Sequence, residues 1–239
     1  MRTSFEELAR IRQVYSRRIQ ATSSHYSLFN QSYLYTWQQR QRATLRLLND
    51  FGIQTLSDKR VLEIGCGSGS VLLEYLNYGI TPGQAFGLDL MPQLISGAKQ
   101  RLPHLCFVCA DGQHLPFPAR TFDIVLQYTV FSSILDAKVK ENVAQEMLRV
   151  LSPKGIVLWY DFWWNPINPE TRGIHLSEVS ALFPNCSLKW RRITLAPPIA
   201  RRLVRFSWLL CELLEKLRLL NTHYLVAIRP KAQSERPRL

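Results

Sequence analysis

The chain has 239 residues, of which 46% are hydrophobic and only 20% charged. That is enough apolar material for one large buried core, and it excludes global disorder. Lysine and arginine outnumber aspartate and glutamate 30 to 18, a formal net charge of +12 that directs attention to anionic partners.

The basic residues cluster towards the ends, at 10–18, 40–46, 189–192 and 201–205. No RNA-binding motif accompanies them, so nucleic acid is not the expected partner. Residues 1–7 lack the apolar segment of a secretion signal, and the five cysteines are odd in number and scattered. A reducing, cytoplasmic setting with free thiols is expected.

Residues 1–52 are predicted to form a helical N-terminal lid. Phe5, Leu8, Ile11 and Tyr15 recur at three- and four-residue steps and make one apolar face. After a polar break at 21–27, a second helix is expected over 35–51, with Trp37, Leu45, Leu47 and Leu48 inward. Tyr26, Tyr33, Tyr35 and Trp37 make this region aromatic. Those rings either pad the start of the core or cover the site, where their faces would suit a cationic group.

From Arg60 the pattern alternates between strand and helix. Strands are predicted at 60–64, 84–89, 105–110, 122–127 and 155–160, with helices at 69–78, 92–101 and 138–151. Near-continuous apolar strands separated by helices give a parallel sheet covered on both faces. Ligands of such sheets bind at the carboxyl ends of the strands.

The first strand runs into Glu63-Ile64-Gly65-Cys66-Gly67-Ser68-Gly69. Glycines let the backbone turn tightly and approach a ligand closely. The spacing is Gly-x-Gly-x-Gly, which is not the dinucleotide fingerprint, and no Gly-Lys-Ser/Thr follows to make a phosphate loop. Asp89 ends the second strand, where a carboxylate can accept bonds from ribose hydroxyls. Asp111 follows the third strand, and Phe122-Asp123 opens the fourth, with Asp123 read as structural. The next helix ends in Met147-Leu148-Arg149-Val150-Leu151-Ser152-Pro153-Lys154-Gly155.

In this order and spacing, residues 60–162 resemble the class I S-adenosylmethionine-dependent methyltransferases, specifically their small-molecule type 11 branch. The resemblance implies a Rossmann-like α/β fold, with a mostly parallel seven-stranded sheet, helices on both faces and an antiparallel last strand, over residues 53–230. It implies S-adenosylmethionine as cofactor. Glu63, Gly65 and Gly67 would line its methionine part, and Gly69 would shape the turn. Asp89 would hold the ribose, Leu90 or Met91 would lie against adenine, Asp111 would meet the adenine amino group beside Gly112, and Gln127 would touch the methionine end.

Methyl transfer from a sulfonium needs mainly positioning of the acceptor, and a base if the acceptor is a hydroxyl. Asp161, directly after the fifth strand, is the preferred base. His175 is a second candidate, although it sits at a predicted helix start. Tyr128, Ser132, Asn165 and Arg172, on the loops after the fourth and fifth strands, are candidates for binding the substrate. Cys106 and Cys109 are three apart on a strand, so their sulfurs point to opposite faces and read as core rather than as a metal site.

The last two strands are predicted at 188–195 and 222–229, flanking a helical insertion at 196–221, and a flexible tail at 231–239. The basic 199–220 helix is too interrupted by charge to span a bilayer. It either packs on the sheet or makes peripheral contact with an anionic membrane. The loop from Asp161 to Arg172, followed by this helix opening on Pro197-Pro198, is also similar to methyltransferases that accompany bacterial glycan and secondary-metabolite assembly. That implies O-methylation of a small glycan-related, lipid-linked or secondary-metabolite acceptor. An RNA or protein methyltransferase, or a non-catalytic cofactor-binding module, are the alternatives. Gln127-Tyr128-Thr129-Val130 is not the Asn/Asp-Pro-Pro-Tyr/Phe signature of base methylation. The acceptor, the atom methylated and the oligomeric state are left open.

Overall fold

The computed structural model describes residues 3–20, 27–165 and 168–231. Most of the predicted polar break at 21–27 (Tyr26 included), Pro166 and Ile167, and the tail from 232 lie outside the described residues.

Seven strands form one sheet in the order β3-β2-β1-β4-β5-β7-β6. They are β1 (Val61–Ile64), β2 (Ala85–Asp89), β3 (Cys106–Cys109), β4 (Phe122–Tyr128), β5 (Leu151–Phe162), β6 (Cys186–Leu195) and β7 (Asn221–Pro230). β3, β2, β1, β4 and β5 are parallel neighbours. β7 runs antiparallel to both β5 and β6, so β6 points the same way as β5.

Alternation along the central strands feeds two cores. Val61, Ile124, Leu126, Ile156 and Leu158 face one side. There they meet α2 (Gln31–Asp50) through Leu47 and Leu48, α3 (Ser70–Asn77) through Leu72 and Tyr75, and α4 (Pro92–Arg101) through Ile95 and Ala98. Leu62, Ile64, Val125, Val157 and Trp159 face the other, against α5 (Ala137–Val150) and α6 (Leu176–Leu182). α1 (Ser4–Gln20) lies on this second side, with Ile11 packed against it. β1 is buried at all four positions, as a central parallel strand must be.

Local chemistry explains several boundaries. Asn30, Asp136 and Ser207 each end an extended stretch and accept a hydrogen bond from a backbone N–H of the helix they cap. Asp123 accepts from the Arg60 N–H at 2.9 Å, tying the entries of β1 and β4 together, as its structural reading required.

Some expectations are corrected. The insertion is two helices, α7 (Pro197–Leu203) and α8 (Trp208–Leu217), because Ser207 starts a new cap between them. Phe5 and Leu45 are exposed rather than inward. Cys106 and Cys109 are exposed because β3 is an edge strand, whereas Cys66 and Cys211 are buried. β5 extends through Phe162 because β7 pairs with it as far as His223, so Asp161 lies within the strand.

Gly87 sits where β1, β2 and β3 meet. An added Cβ would lie 2.7 Å from Phe107 Cδ1 and 2.8 Å from Cys66 Sγ. Gly87→Ala should therefore destabilise the fold by about 1–3 kcal/mol through overpacking, measurable as a lower midpoint in urea unfolding.

Candidate functional site

The turn between β1 and α3 is built on three left-handed residues, Gly65 (φ 68°), Gly67 (φ 53°) and Gly69 (φ 78°). At Gly65 a Cβ would collide with the Val130 side chain, so the loop from β4 packs directly on this backbone. The loop is pinned from β2. Asp89 Oδ2 accepts from the Gly67 N–H at 2.9 Å, and Oδ1 accepts from the Met91 N–H at 2.9 Å. Burial pushes the Asp89 carboxyl up, against the pull of those bonds. Each oxygen keeps a lone pair for a further donor.

Above this turn lies a cavity of about 220 Å³. Gly65, Gly67, Asp89, Leu90, Met91, Asp111 and Gly112 line it, and so does Tyr128. Asp111 holds the next strand's exit, accepting from both the backbone N–H and the side-chain amide of Gln113. Tyr128 is nearly buried, its hydroxyl 3.2 Å from that of Tyr75 and its ring under the Arg40 guanidinium. Among the walls sequence reasoning did not assign are Ile64, Leu94, Thr129, Val130, Val139 and Val143. Thr129 takes a left-handed φ of 58°, which sequence gives no reason to expect of a threonine.

α1 closes the cavity with Leu8, Ile11 and Tyr15, three members of the stripe read from the sequence. The helix is held by polar contacts with distant segments. Glu7, fully buried, accepts from the Leu135 N–H at 2.6 Å and pairs with Arg10 at 2.7 Å. Burial works against its charge, yet Arg10 and the N–H donors keep the Glu7 carboxyl below its ordinary range. Arg10 also donates to the Ser133 carbonyl, and Arg17 and Arg18 both pair with Glu170. The Tyr15 hydroxyl is 3.0 Å from Ser133 Oγ, and burial raises its pKa, so it stays neutral.

Other predicted residues are placed elsewhere. Glu63 points to the opposite sheet face from Ile64, near Glu74 and Arg40; burial, then Glu74, raises its pKa well above the carboxylate range. Gly69 caps α3 beneath the pocket rather than lining it. Gln127 accepts from the Val130 N–H through Oε1 at 3.0 Å, while its Nε2 is buried without a partner. Its register partner Ile64 lines the pocket.

Tyr35 and Trp37 belong to the packing rather than to a covering over the cavity. The Tyr35 hydroxyl donates to Glu215 and the Trp37 indole to Glu74.

The acid–base candidates do not reach the cavity lining. Asp161 is 1% exposed and accepts from the backbone N–H groups of Ser132 and Phe162, each at 3.0 Å. It fastens the turn at 131–133 to β5 and lies outside the cavity lining. His175 is exposed at the start of α6 and makes no capping bond. Asn165 donates to Thr171 Oγ1, and Arg172 pairs with Glu178 at 2.8 Å. Ser132 is buried, its carbonyl accepting from the Arg172 N–H. These three organise the loop after β5 instead of lining the cavity.

The lining fits an adenosyl group. A carboxylate with free lone pairs ends β2, a second follows β3, apolar Leu90, Met91 and Leu94 stand beside them, and the glycine turn leaves room for close approach.

Residues 62–159 match a family described as a methyltransferase domain, the type 11 group. A phthiotriol/phenolphthiotriol dimycocerosates methyltransferase 1 of Mycobacterium ulcerans is 39% identical over 114 residues, 44% of this chain and 38% of that protein. A fatty-acid O-methyltransferase of Mycolicibacterium smegmatis is 37% identical over 123 residues, 50% of this chain and 43% of that protein. The matches thus span less than half the length of these curated relatives. Among solved structures, Haemonchus contortus phosphoethanolamine N-methyltransferase 1, in complex with phosphoethanolamine and S-adenosylhomocysteine, superposes with a TM-score of 0.64 at 14% identity. That match covers 99% of this chain and 52% of that one. The Pyrococcus horikoshii protein PH0226 gives 0.55 at 17% identity over 81% and 92%. Both show the same fold.

Burial pushes the Asp161 carboxyl up to about 7 from an ordinary 3.8, against its hydrogen bonds with Ser132 and Phe162. A raised folded pKa means the native state binds the proton more tightly. The stability this gives is full below pH 3.8 and is lost as pH rises through about 7, at most about 4 kcal/mol. Asp161→Asn should flatten the unfolding free energy between pH 4 and 7 relative to the parent; an unchanged slope would remove Asp161 as the source.

Proposed function

With residues 62–159 forming a class I S-adenosylmethionine-dependent methyltransferase domain of the type 11 branch, we propose that the protein methylates a small, lipid-like acceptor at oxygen. The observation that carries this reading is the Asp89-anchored glycine turn opening into an apolar cavity closed by α1. The names of the mycobacterial relatives, acting on phthiotriol dimycocerosates and on fatty acids, support a lipid-type acceptor.

S-adenosylmethionine supplies an electrophilic methyl group on its sulfonium. Asp89 and Asp111 hold the adenosyl part, Gly65 and Gly67 allow the backbone to approach it, and Met91 and Leu90 flank it. Gln127, buried behind the lining, accepts from the Val130 N–H and so sets the side chain that packs on Gly65. Leu8, Ile11 and Val130 exclude water. Tyr15 and Ser133, hydrogen-bonded to each other at the cavity wall, are the hydroxyl pair that orients the acceptor. With Asp161 and His175 outside the lining, positioning does most of the catalysis. That suits an acceptor oxygen that is already ionised, such as a carboxylate: it attacks the methyl carbon, S-adenosylhomocysteine leaves, and no proton has to be removed. The protein works in the cytoplasm, at the membrane periphery where such acceptors reside.

Calorimetry tests the cofactor reading. S-adenosylhomocysteine should bind and dinucleotides should not; the reverse result overturns it. Asp89→Ala should weaken S-adenosylhomocysteine binding about 10- to 100-fold, the loss of charge-assisted hydrogen bonds, with Asp89→Asn intermediate. Transfer of labelled methyl from the cofactor to a long-chain fatty acid or lipid alcohol tests the acceptor class. Tyr15→Phe should lower that turnover more than cofactor affinity.

A further inference from the structure

α8 wears its apolar residues on the outside. Its inner face is already used: Cys211 packs with Tyr35, Leu195, Ala200 and Val204, with Trp208 and Leu214 beside them. The opposite face carries Leu209, Leu213 and Leu217, four residues apart and 67%, 51% and 63% exposed. Phe206, just before the helix, is 85% exposed, and Leu219, just after it, 75%. Phe29, 99% exposed, joins the same region through a groove it lines with Arg201 and Arg205. A contiguous apolar ridge of this kind marks an interaction surface.

The charge beside the ridge has one sign. Arg201, Arg202 and Arg205 are exposed, and among the described residues they form no ion pair or side-chain hydrogen bond. Lys216 and Arg218 continue the positive charge past the end of the helix. Glu212 is already paired with Arg42 at 2.9 Å, and Glu215 faces inward to Tyr35. Topology sets this surface at the same end of the sheet as the pocket, with β5 and β7 between β6 and β4. β6 runs parallel to β5, so α7 leaves the same sheet edge at which β1 and β4 deliver their carboxyl ends to the cavity.

We propose that the ridge of Phe206, Leu209, Leu213 and Leu217, with Arg201, Arg202 and Arg205 beside it, docks on an anionic membrane surface. The leucines and phenylalanine enter the headgroup boundary while the arginines meet lipid phosphates. No helix among the described residues is long and apolar enough to cross the membrane, so contact is in the interfacial plane. Self-association of this face would enclose unpaired arginines with no carboxylate to meet them, since Glu212 and Glu215 are already engaged, which disfavours a second copy as occupant. The proposal takes its purpose from the reading of the pocket as a lipid-methylating site, since docking would hold the cavity beside its acceptor, but the docking itself does not need that reading.

The test is co-sedimentation of the full chain with vesicles of phosphatidylcholine alone or with about a third phosphatidylglycerol, at about 0.15 M salt. The parent should pellet with the anionic vesicles only. Replacing Arg201, Arg202 and Arg205 together with Gln should weaken that binding roughly a hundredfold, at about 1 kcal/mol per charge. Replacing Leu209, Leu213 and Leu217 together with Gln should abolish it. Phe206→Ala, a single exposed change that leaves the fold untouched, should weaken it several-fold, so the outcome does not hang on a triple variant. S-adenosylhomocysteine affinity, measured on the same samples, should be unchanged in all of them. A parent that stays in the supernatant, or variants that pellet as well as the parent, overturns the proposal. So does a parent dimer that the leucine variant converts to monomer without any vesicle binding. Failure of the parent to bind S-adenosylhomocysteine would sink the methyltransferase reading and leave the vesicle result standing.

Discussion

One carboxylate fixes the geometry of the pocket. Asp89 receives the Gly67 and Met91 N–H groups, one on each oxygen, and so joins the turn after β1 to the start of α4. The turn cannot support itself, because its left-handed glycines have no side chains to pack. Held by Asp89 on one side and by Val130 on the other, it becomes a rigid floor. The cost of burying that carboxylate is offset by N–H donors in the present state, and ribose hydroxyls would add to them.

The strands and the helices between them were legible because they depend on local patterns. Apolar runs of four to seven residues separated by amphipathic helices leave few topologies open. Much of the cavity lining was legible for the same reason, since Asp89, Asp111 and the glycine turn each follow a strand end. Leu8, Ile11 and Tyr15 could be read as a stripe, and the structure gives that stripe its purpose as the wall opposite the turn.

What escaped the sequence depends on partners far away in the chain. Asp161 could be taken for a loop residue until the pairing of Asp161 with Tyr224 extended β5 past it. Glu63 follows the family motif, yet strict alternation from pocket-facing Ile64 turns it to the other face. Asn165 and Arg172 have chemistry suited to a substrate, but Thr171 and Glu178 claim them. The cysteine pair on β3 looked like core because an edge strand and a central one share the same local pattern.

The clamp on α1 has a consequence for how the molecule comes together. Glu7 and Arg10 lie at the beginning of the chain, but their partners are Ser133, Leu135 and Glu170. During synthesis this helix has no docking place until the segments around Ser133 and Leu135, more than a hundred residues further along, have been made. The glycine turn, β2 and α4 can therefore assemble as an open cup, and the cover arrives after them, closing a loop of more than a hundred residues. Assembly order and cofactor access converge on one late event, the seating of a single buried glutamate.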